Sequence, residues 1–445
     1  MKNGNMDPGL VRDALAKHML VDGFRLVVDL EKSKGSWLVD GETGKTYLDF
    51  YTFFASSPLG FNHPRLTEPD FLYELGRAAV HKPANSDVQT VEMAAFVDAF
   101  SRIAMPEELP HLFFVEGGAL AVENAMKAAF DWKVRKNMER GVEGGGSKIL
   151  HFREAFHGRS GYTMSVTNTD PVKIMHFPKF DWPRVTNPKL SFPLTEASLA
   201  ETKAAEATAI AEIEQAFADH PDEIAGILIE PIQCEGGDNH FRPEFICELR
   251  RIADEREALL IFDEVQTGLG ATGRMWAFEH FDVVPDIVCF AKKVQVGGIL
   301  CSRRIEEVKD HVFELSSRIN STWGGGLVDM VRSTRILEVI RDEGLVANAA
   351  EMGERFLTGV GELAAEFTGT VTNPRGQGLV VAFDLPTKEL RDRYVTACFD
   401  AGLIILTCGE KSVRFRPALN VTADEIDEGL KRLRAALEGV LATAS

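Results

Sequence analysis

An aspartate closing one apolar run and a lysine just beyond the next are the residues of this chain best placed to do chemistry. Ala258-Leu259-Leu260-Ile261-Phe262 empties into Asp263-Glu264-Val265-Gln266-Thr267-Gly268, and Ile287-Val288-Cys289-Phe290 delivers Lys292. Such runs read as strands of a parallel sheet buried on both faces, and open α/β sheets gather chemistry at the carboxyl ends of their strands. A carboxylate on one strand end and an amine after the next suit pyridoxal 5'-phosphate (PLP), which needs a lysine for its Schiff base and an acid facing its pyridinium nitrogen. Lys292 is the candidate for that bond and for moving the substrate proton afterwards. Lys293 competes with it, although one of two adjacent lysines is ordinarily a solvated surface residue. Asp263 would be held ionised by the ring's positive charge and keep the ring an electron sink. Gln266 could donate to the ring's phenolic oxygen, and Val265 could pack on one face of the ring.

Other segments supply what such a cofactor and its substrates need. Gly117-Gly118-Ala119 follow a strand-like run and open a helix, where small residues let a phosphate reach free backbone N–H groups; the plainer reading is a tight strand-to-helix turn. Phe156 stands in Phe156-His157-Gly158-Arg159 and could stack on the free ring face, or belong to the core. Arg159 is a candidate anion clamp. Arg414 and Arg416 alternate in Val413-Arg414-Phe415-Arg416-Pro417, which puts both on one side of a strand. That stripe either faces solvent or offers one arginine to fork a substrate carboxylate.

The elements that must position these residues can be read from periodicity. Trp37–Gly41 and Lys45–Phe50 flank a Gly-Glu-Thr-Gly turn and predict a hairpin. Leu112–Val115, Ile149–Phe152 and Ile227–Ile229 predict further strands. A helix is expected from Gly118 to near Asn137, with Val122, Met126, Ala129 and Phe130 on one face and Glu123 and Lys127 paired on another. Leu327–Arg341 predicts a long helix stopped by Gly344, and Thr422-Ala423-Asp424-Glu425 a capping box. The expected architecture is α/β: a large, doubly wound, mainly parallel sheet domain plus a smaller α+β domain. Residues 1–75 are assigned to an N-terminal segment shared between the small domain and dimer contacts, 76–326 to the large domain, and 327–445 to a linking helix and the C-terminal small domain.

Composition narrows the function classes. The 445 residues are 45% hydrophobic, enough for a sizeable core, and the net charge of −18 argues against nucleic acid or an anionic membrane as partner. Six scattered cysteines without paired spacing read as free thiols of a reducing cytoplasm, with no metal site expected. No apolar stretch has bilayer length.

As a set, these motifs are similar to those of the class-III PLP-dependent aminotransferases of fold type I. The resemblance runs over nearly the whole chain and includes Asp263–Gly268 with its distant lysine, Glu230-Pro231-Ile232-Gln233, Gly60-Phe61-Asn62-His63-Pro64 and Asn320-Ser321-Thr322-Trp323-Gly324-Gly325. Within the family, Leu112–Trp132, Ala155–Tyr162, Phe177–Pro183 and Arg414–Pro417 resemble the members that act on the ε-amino group of L-lysine. The Phe-Asp-Trp-Pro and Lys-Lys blocks are shared with 4-aminobutyrate aminotransferases, so a 4-aminobutyrate or ornithine ω-aminotransferase is the alternative.

The resemblance implies a homodimer with active sites built from both subunits. It implies transfer of the lysine ε-amino group to 2-oxoglutarate, giving 2-aminoadipate 6-semialdehyde and L-glutamate. Lys292 matches the Schiff-base lysine, Asp263 the pyridinium partner, Gln266 the phenolic-oxygen partner and Phe156 the stacking aromatic. Gly118 and Ala119 match the phosphate-binding amides, and Thr322 the residue that reaches the neighbouring subunit's phosphate. Arg159 matches the arginine for the lysine α-carboxylate, Arg416 the one for the α-carboxylate of glutamate and 2-oxoglutarate, and Glu235 the acid that pairs with that arginine when no anion is bound. The resemblance also implies that Asn320 lies near the substrate. Cys234 departs from the family's small glycine and is expected to restrict the swing of Glu235; Gly326 replaces an asparagine.

Overall fold

The computed structural model describes residues 6–442. The expected hairpin forms from β1 (Trp37–Val39) and β2 (Thr46–Asp49), paired antiparallel. Seven strands then build the large sheet: β3 (His111–Val115), β4 (Lys148–Phe152), β5 (Arg184–Val185), β6 (Ile224–Ile229), β7 (Leu259–Asp263), β8 (Ile287–Phe290) and β9 (Gly297–Cys301). Their spatial order is β3-β9-β8-β7-β6-β4-β5. The five strands from β8 to β5 run parallel, while β9 is antiparallel to both β3 and β8.

The apolar runs are explained by burial on both faces. Along β7, Leu260 and Phe262 join one core cluster with Phe152, Ile227, Ile229 and Phe290. Leu259 and Ile261 point the other way into a second cluster with Ile149, Leu228, Ile287 and Cys289. The helix Gly118–Glu139 packs on β6, β8 and β9, and the helix Pro243–Glu255 packs against β6 and β7. Each fully buried Leu, Ile or Phe contributes about 1.5–3 kcal/mol, so a polar residue is retained in these strands only for a reason beyond packing. Asp263, the last residue of β7, is 6% exposed.

Strand β9 has no clear apolar signature at its start, because Gly297 and Gly298 open it. A Cβ on Gly298 would lie 2.3 Å from the Phe113 carbonyl oxygen and 2.5 Å from the Phe290 ring. Only glycine lets β3, β9 and β8 close up there. The reversal from β8 to β9 is a short 3-10 turn, Lys292–Val294, with Lys292 at φ 44° and Gln295 at φ 67°. The candidate lysine therefore sits on a strained turn at the end of a buried strand.

The C-terminal part holds an antiparallel sheet, built from β10 (Thr372–Gln377), β11 (Val380–Asp384), β13 (Leu406–Cys408) and β14 (Ser412–Phe415) in the order β10-β11-β14-β13. Between them β12 (Leu403–Ile404) leaves this sheet and pairs parallel with β2, tying the N-terminal hairpin to the C-terminal part. The capping box forms: the Thr422 N–H donates to Glu425 Oε2 at 2.9 Å and the Glu425 N–H donates to Thr422 Oγ1 at 3.3 Å. The expected Glu123–Lys127 pair does not; Glu123 instead accepts the Tyr162 N–H at 2.9 Å, a fixed partner in place of a solvated one. Among the described residues no helix is long and apolar enough to cross a membrane.

Candidate active site

The carboxyl ends of β7 and β8, the start of the Gly118 helix and the loop after β4 converge on a cavity of about 560 Å³. Lys292, Asp263, Val265, Gln266, Gly118, Ala119, Phe156, Arg159 and Glu235 all line it. These residues are scattered over 175 positions of sequence and meet because their strands share one sheet edge.

Asp263 is held from two sides. Its Oδ1 accepts the Val265 N–H at 3.0 Å, and its Oδ2 lies 2.8 Å from His157 Nδ1. His157 is itself buried, and its Nε2 has no partner. A buried imidazole locking the carboxylate leaves Asp263 one fixed orientation toward the cavity. The sequence displayed His157 between Phe156 and Arg159 but offered no sign of its partner, which lies in a different strand.

Lys292 and Lys293 are separated by geometry. Lys292 lines the cavity, whereas Lys293 donates to the Gln266 carbonyl at 2.6 Å and is spent there. Burial first, then the charge of Arg414, lowers the Lys292 amine to about 8. An amine of that pKa takes and gives protons near neutral pH.

The two arginines both reach Gln266. Arg416 Nε donates to its Oε1 at 3.1 Å and Arg414 Nη1 at 3.3 Å. With its oxygen occupied, Gln266 presents its amide N–H groups as donors. Beyond this shared contact the arginines differ. Arg416 is bidentate to Asp238, through Oδ2 at 2.9 Å and Oδ1 at 2.5 Å, and is fully enclosed. Arg414 pairs with Glu235 Oε2 at 2.5 Å.

The expected pairing of Glu235 with Arg416 is therefore corrected: Glu235 pairs with Arg414. The cause is local. Strand β14 ends at Phe415, so simple alternation does not carry through to 416. The Arg416 N–H is taken by the Phe50 carbonyl, and its head turns to Asp238, an acid that sequence inspection did not flag.

Glu230, named above only as part of a family motif, is a further participant. Its Oε1 accepts the Phe156 N–H at 2.9 Å and its Oε2 the Cys234 N–H at 3.2 Å, so one carboxyl pins both the aromatic and the loop bearing Glu235. Burial, then the Asp263 charge, pushes this carboxyl well above the usual range. Cys234 packs with Ile232, Ala271 and Val380, and burial pushes its thiol up to about 12. It is a core residue here, packed into an apolar cluster.

Ser56 also lines the cavity, delivered by a left-handed turn. Thr52, Phe53, Phe54 and Ala55 take φ values of 41°, 53°, 59° and 65°, at a cost of about 1–2 kcal/mol per residue. Asp49 Oδ1 accepts the Tyr51 and Thr52 N–H groups, and Thr52 Oγ1 donates to the Arg416 carbonyl at 2.6 Å. No glycine marks the turn, so its hand could not be read from sequence.

Asn320 and Thr322 are exposed and do not line the cavity of their own chain. The Thr322 carbonyl accepts from Ser86 Oγ at 3.2 Å, which holds the segment on the surface.

The site fits PLP on its own terms. A Cβ on Gly118 would fall 2.7 Å from Val265 Cγ1, so only glycine keeps the helix start open there. The amides of Gly118 and Ala119 begin a long helix, where a phosphate is favoured. Across residues 21–437 the chain matches the class-III aminotransferase family. The chain belongs to that family. This class-III aminotransferase is 52% identical over 432 residues to an L-lysine-epsilon aminotransferase of Mycobacterium tuberculosis, covering 97% of this chain and 96% of the relative. It is 34% identical over 461 residues to a probable mitochondrial 4-aminobutyrate aminotransferase of Caenorhabditis elegans, covering 97% and 93%. The solved structure of the lysine aminotransferase from M. tuberculosis in the internal aldimine form superposes with a TM-score of 0.95 at 52% identity, over 98% of this chain and all of that one. The family and that fold are those of PLP-dependent, fold type I enzymes.

Proposed function

We propose that this aminotransferase moves the ε-amino group of L-lysine to 2-oxoglutarate. The products are L-glutamate and 2-aminoadipate 6-semialdehyde, which loses water on cyclising to piperideine-6-carboxylate. The observation that carries this reading is a pair of guanidiniums of unlike state beside one cavity. Arg159 has no acidic partner among the described residues, whereas Arg414 is neutralised by Glu235. Lysine presents an amine to the reacting centre and its only carboxylate far away. A free distal arginine suits that carboxylate, and a neutralised proximal arginine does not repel the amine. 2-Oxoglutarate carries carboxylates at both ends and needs both arginines, so Glu235 must release Arg414. Each charge-assisted contact is worth about 1.5–3 kcal/mol, enough to set which substrate sits productively.

PLP, when bound, serves as the electron sink and carries the amino group between the two substrates. Among the cavity residues, Asp263, fixed by His157, would serve its ring nitrogen, Gln266 would donate to its phenolic oxygen, Phe156 and Val265 would pack against the ring, and Gly118 and Ala119 would receive its phosphate. Lys292 would hold the cofactor through its amine and would move the substrate proton. The enzyme works as a homodimer in the cytoplasm, with Thr322 and Asn320 completing the neighbour's site. Their exposure outside their own cavity supports that assignment. The substrate reading is tested by giving the PLP-loaded protein L-lysine, L-ornithine or 4-aminobutyrate with 2-oxoglutarate and identifying products by mass spectrometry. Piperideine-6-carboxylate from lysine is the expected result; turnover confined to ornithine or 4-aminobutyrate overturns it.

A further inference from the structure

Glu235 has a second cation that the exchange at Arg414 does not require. While Oε2 faces Arg414, Oε1 sits 2.6 Å from Lys173 Nζ. Lys173 ends a short 3-10 turn, Pro171–Lys173, 62 residues before Glu235 in sequence. Its ammonium also lies over the Phe156 ring, 5.3 Å from the centroid, and 3.4 Å from Thr169 Oγ1. These contacts hold it at the Glu235 oxygen that Arg414 does not take.

There is also room beside Lys173. Glu235 lines a second cavity of about 480 Å³, shared with Lys173, Thr169, Lys388, Arg391 and Glu410. Arg391 is already occupied by Asp392 and the Gly409 carbonyl, leaving Lys173 as the cation in contact with Glu235. The backbone of Glu235 does not need to move: its carbonyl accepts the Gly409 N–H at 2.9 Å, and a Cβ on Gly236 would collide with the Glu154 carbonyl oxygen. Any exchange is therefore a side-chain swing between two cavities. Burial works against the Glu235 charge, yet Arg414 and then Lys173 hold its carboxyl below the ordinary range. A carboxylate that leaves Arg414 needs another cation where it turns.

We propose that Lys173 is the specificity-determining partner that receives Glu235 when a dicarboxylate takes Arg414. The proposal rests on the two-substrate reading above. Without Lys173, a displaced Glu235 carries an unpaired, half-buried charge, and only the substrate that requires its displacement is penalised. The amine donor, which leaves Glu235 on Arg414, is spared that penalty.

The test compares Lys173→Met, Lys173→Gln and Lys173→Arg with the wild type as PLP-loaded holoenzymes. Affinity for glutarate, an inert dicarboxylate, is measured by calorimetry against pentanoate, and each half-reaction is followed by cofactor absorbance. Lys173→Met and Lys173→Gln are expected to weaken glutarate by about tenfold, the scale of one charge-assisted hydrogen bond, and to move the ratio of the half-reactions' kcat/KM against the keto acid by a like factor. Lys173→Arg restores both. In a Glu235→Gln background, Lys173→Met shifts the ratio no further. Equal losses in both half-reactions, or unchanged glutarate affinity, overturn the role of Lys173 while leaving the two-substrate reading intact. A wild type that does not distinguish glutarate from pentanoate overturns both.

Discussion

Two adjacent lysines, one buried and one half-buried against the cavity, show how residue-level chemistry is decided by direction. Lys293 is bonded to a backbone carbonyl, while Lys292 faces the cavity with its amine lowered to about 8. The neutral, nucleophilic form of Lys292 therefore predominates above about pH 8 and the ammonium below it. The rate at which apoprotein captures PLP covalently, read by borohydride reduction and peptide mapping, is expected to rise through that pH and level off above it. Lys292→Ala is expected to retain PLP without covalent attachment and to lose turnover; full activity in that variant would contradict the assignment. At His157 the expected effect is on Asp263. His157→Leu leaves that carboxylate without its lock and should reduce kcat by about 10-fold to 100-fold, the scale usual for groups that orient a ligand or catalytic group.

At the scale of elements, the site depends on close approach of backbones. Gly158 has φ 116°, and a Cβ there would lie 2.6 Å from that of Ala119. Gly158→Ala should push the helix start outward and weaken PLP binding by about tenfold, because one backbone N–H to phosphate is lost; cofactor titration by fluorescence quenching measures it. Glu264, beside Asp263, has a structural task. It accepts the Ala277 and Phe278 N–H groups at 2.7 and 2.8 Å and the Thr267 hydroxyl at 2.9 Å. Glu264→Ala leaves three buried donors unpaired and is expected to cost about 3 kcal/mol of stability, seen as a fall in Tm. The Asp-Glu pair thus divides its labour: the first acid serves the cavity and the second the fold.

For the whole molecule the prediction concerns assembly. Thr322 is exposed on its own chain, so the phosphate role proposed for it requires a second copy. Sedimentation should give a particle of twice the 49.1 kDa chain mass. Lys292→Ala and Thr322→Ala proteins, each impaired alone, are expected to recover about a quarter of wild-type activity after mixed reassembly, because one site of each heterodimer has both residues intact. A monomer, or no recovery on mixing, would remove Thr322 from the site.

Much of this protein is determined by its sequence, because the relevant signals are local. Apolar runs buried on both faces announce β6, β7 and β8, and a chain must put its carboxylate and amine where such strands end. The capping box at Thr422 and the helix from Gly118 are equally short-range. What the tertiary structure alone decided are the long-range pairings. Glu235 meets Arg414 because β14 ends one residue before Arg416, and Arg416 is claimed by Asp238. His157 finds Asp263 across the sheet edge, and Lys173 meets Glu235 from a loop 62 residues away. Strand β9 and the left-handed turn at Thr52–Ala55 were equally invisible, the first because glycines replace its apolar signal, the second because neighbours from distant segments impose its hand. Charges choose partners by position in space, and that position is set only when the sheets have packed.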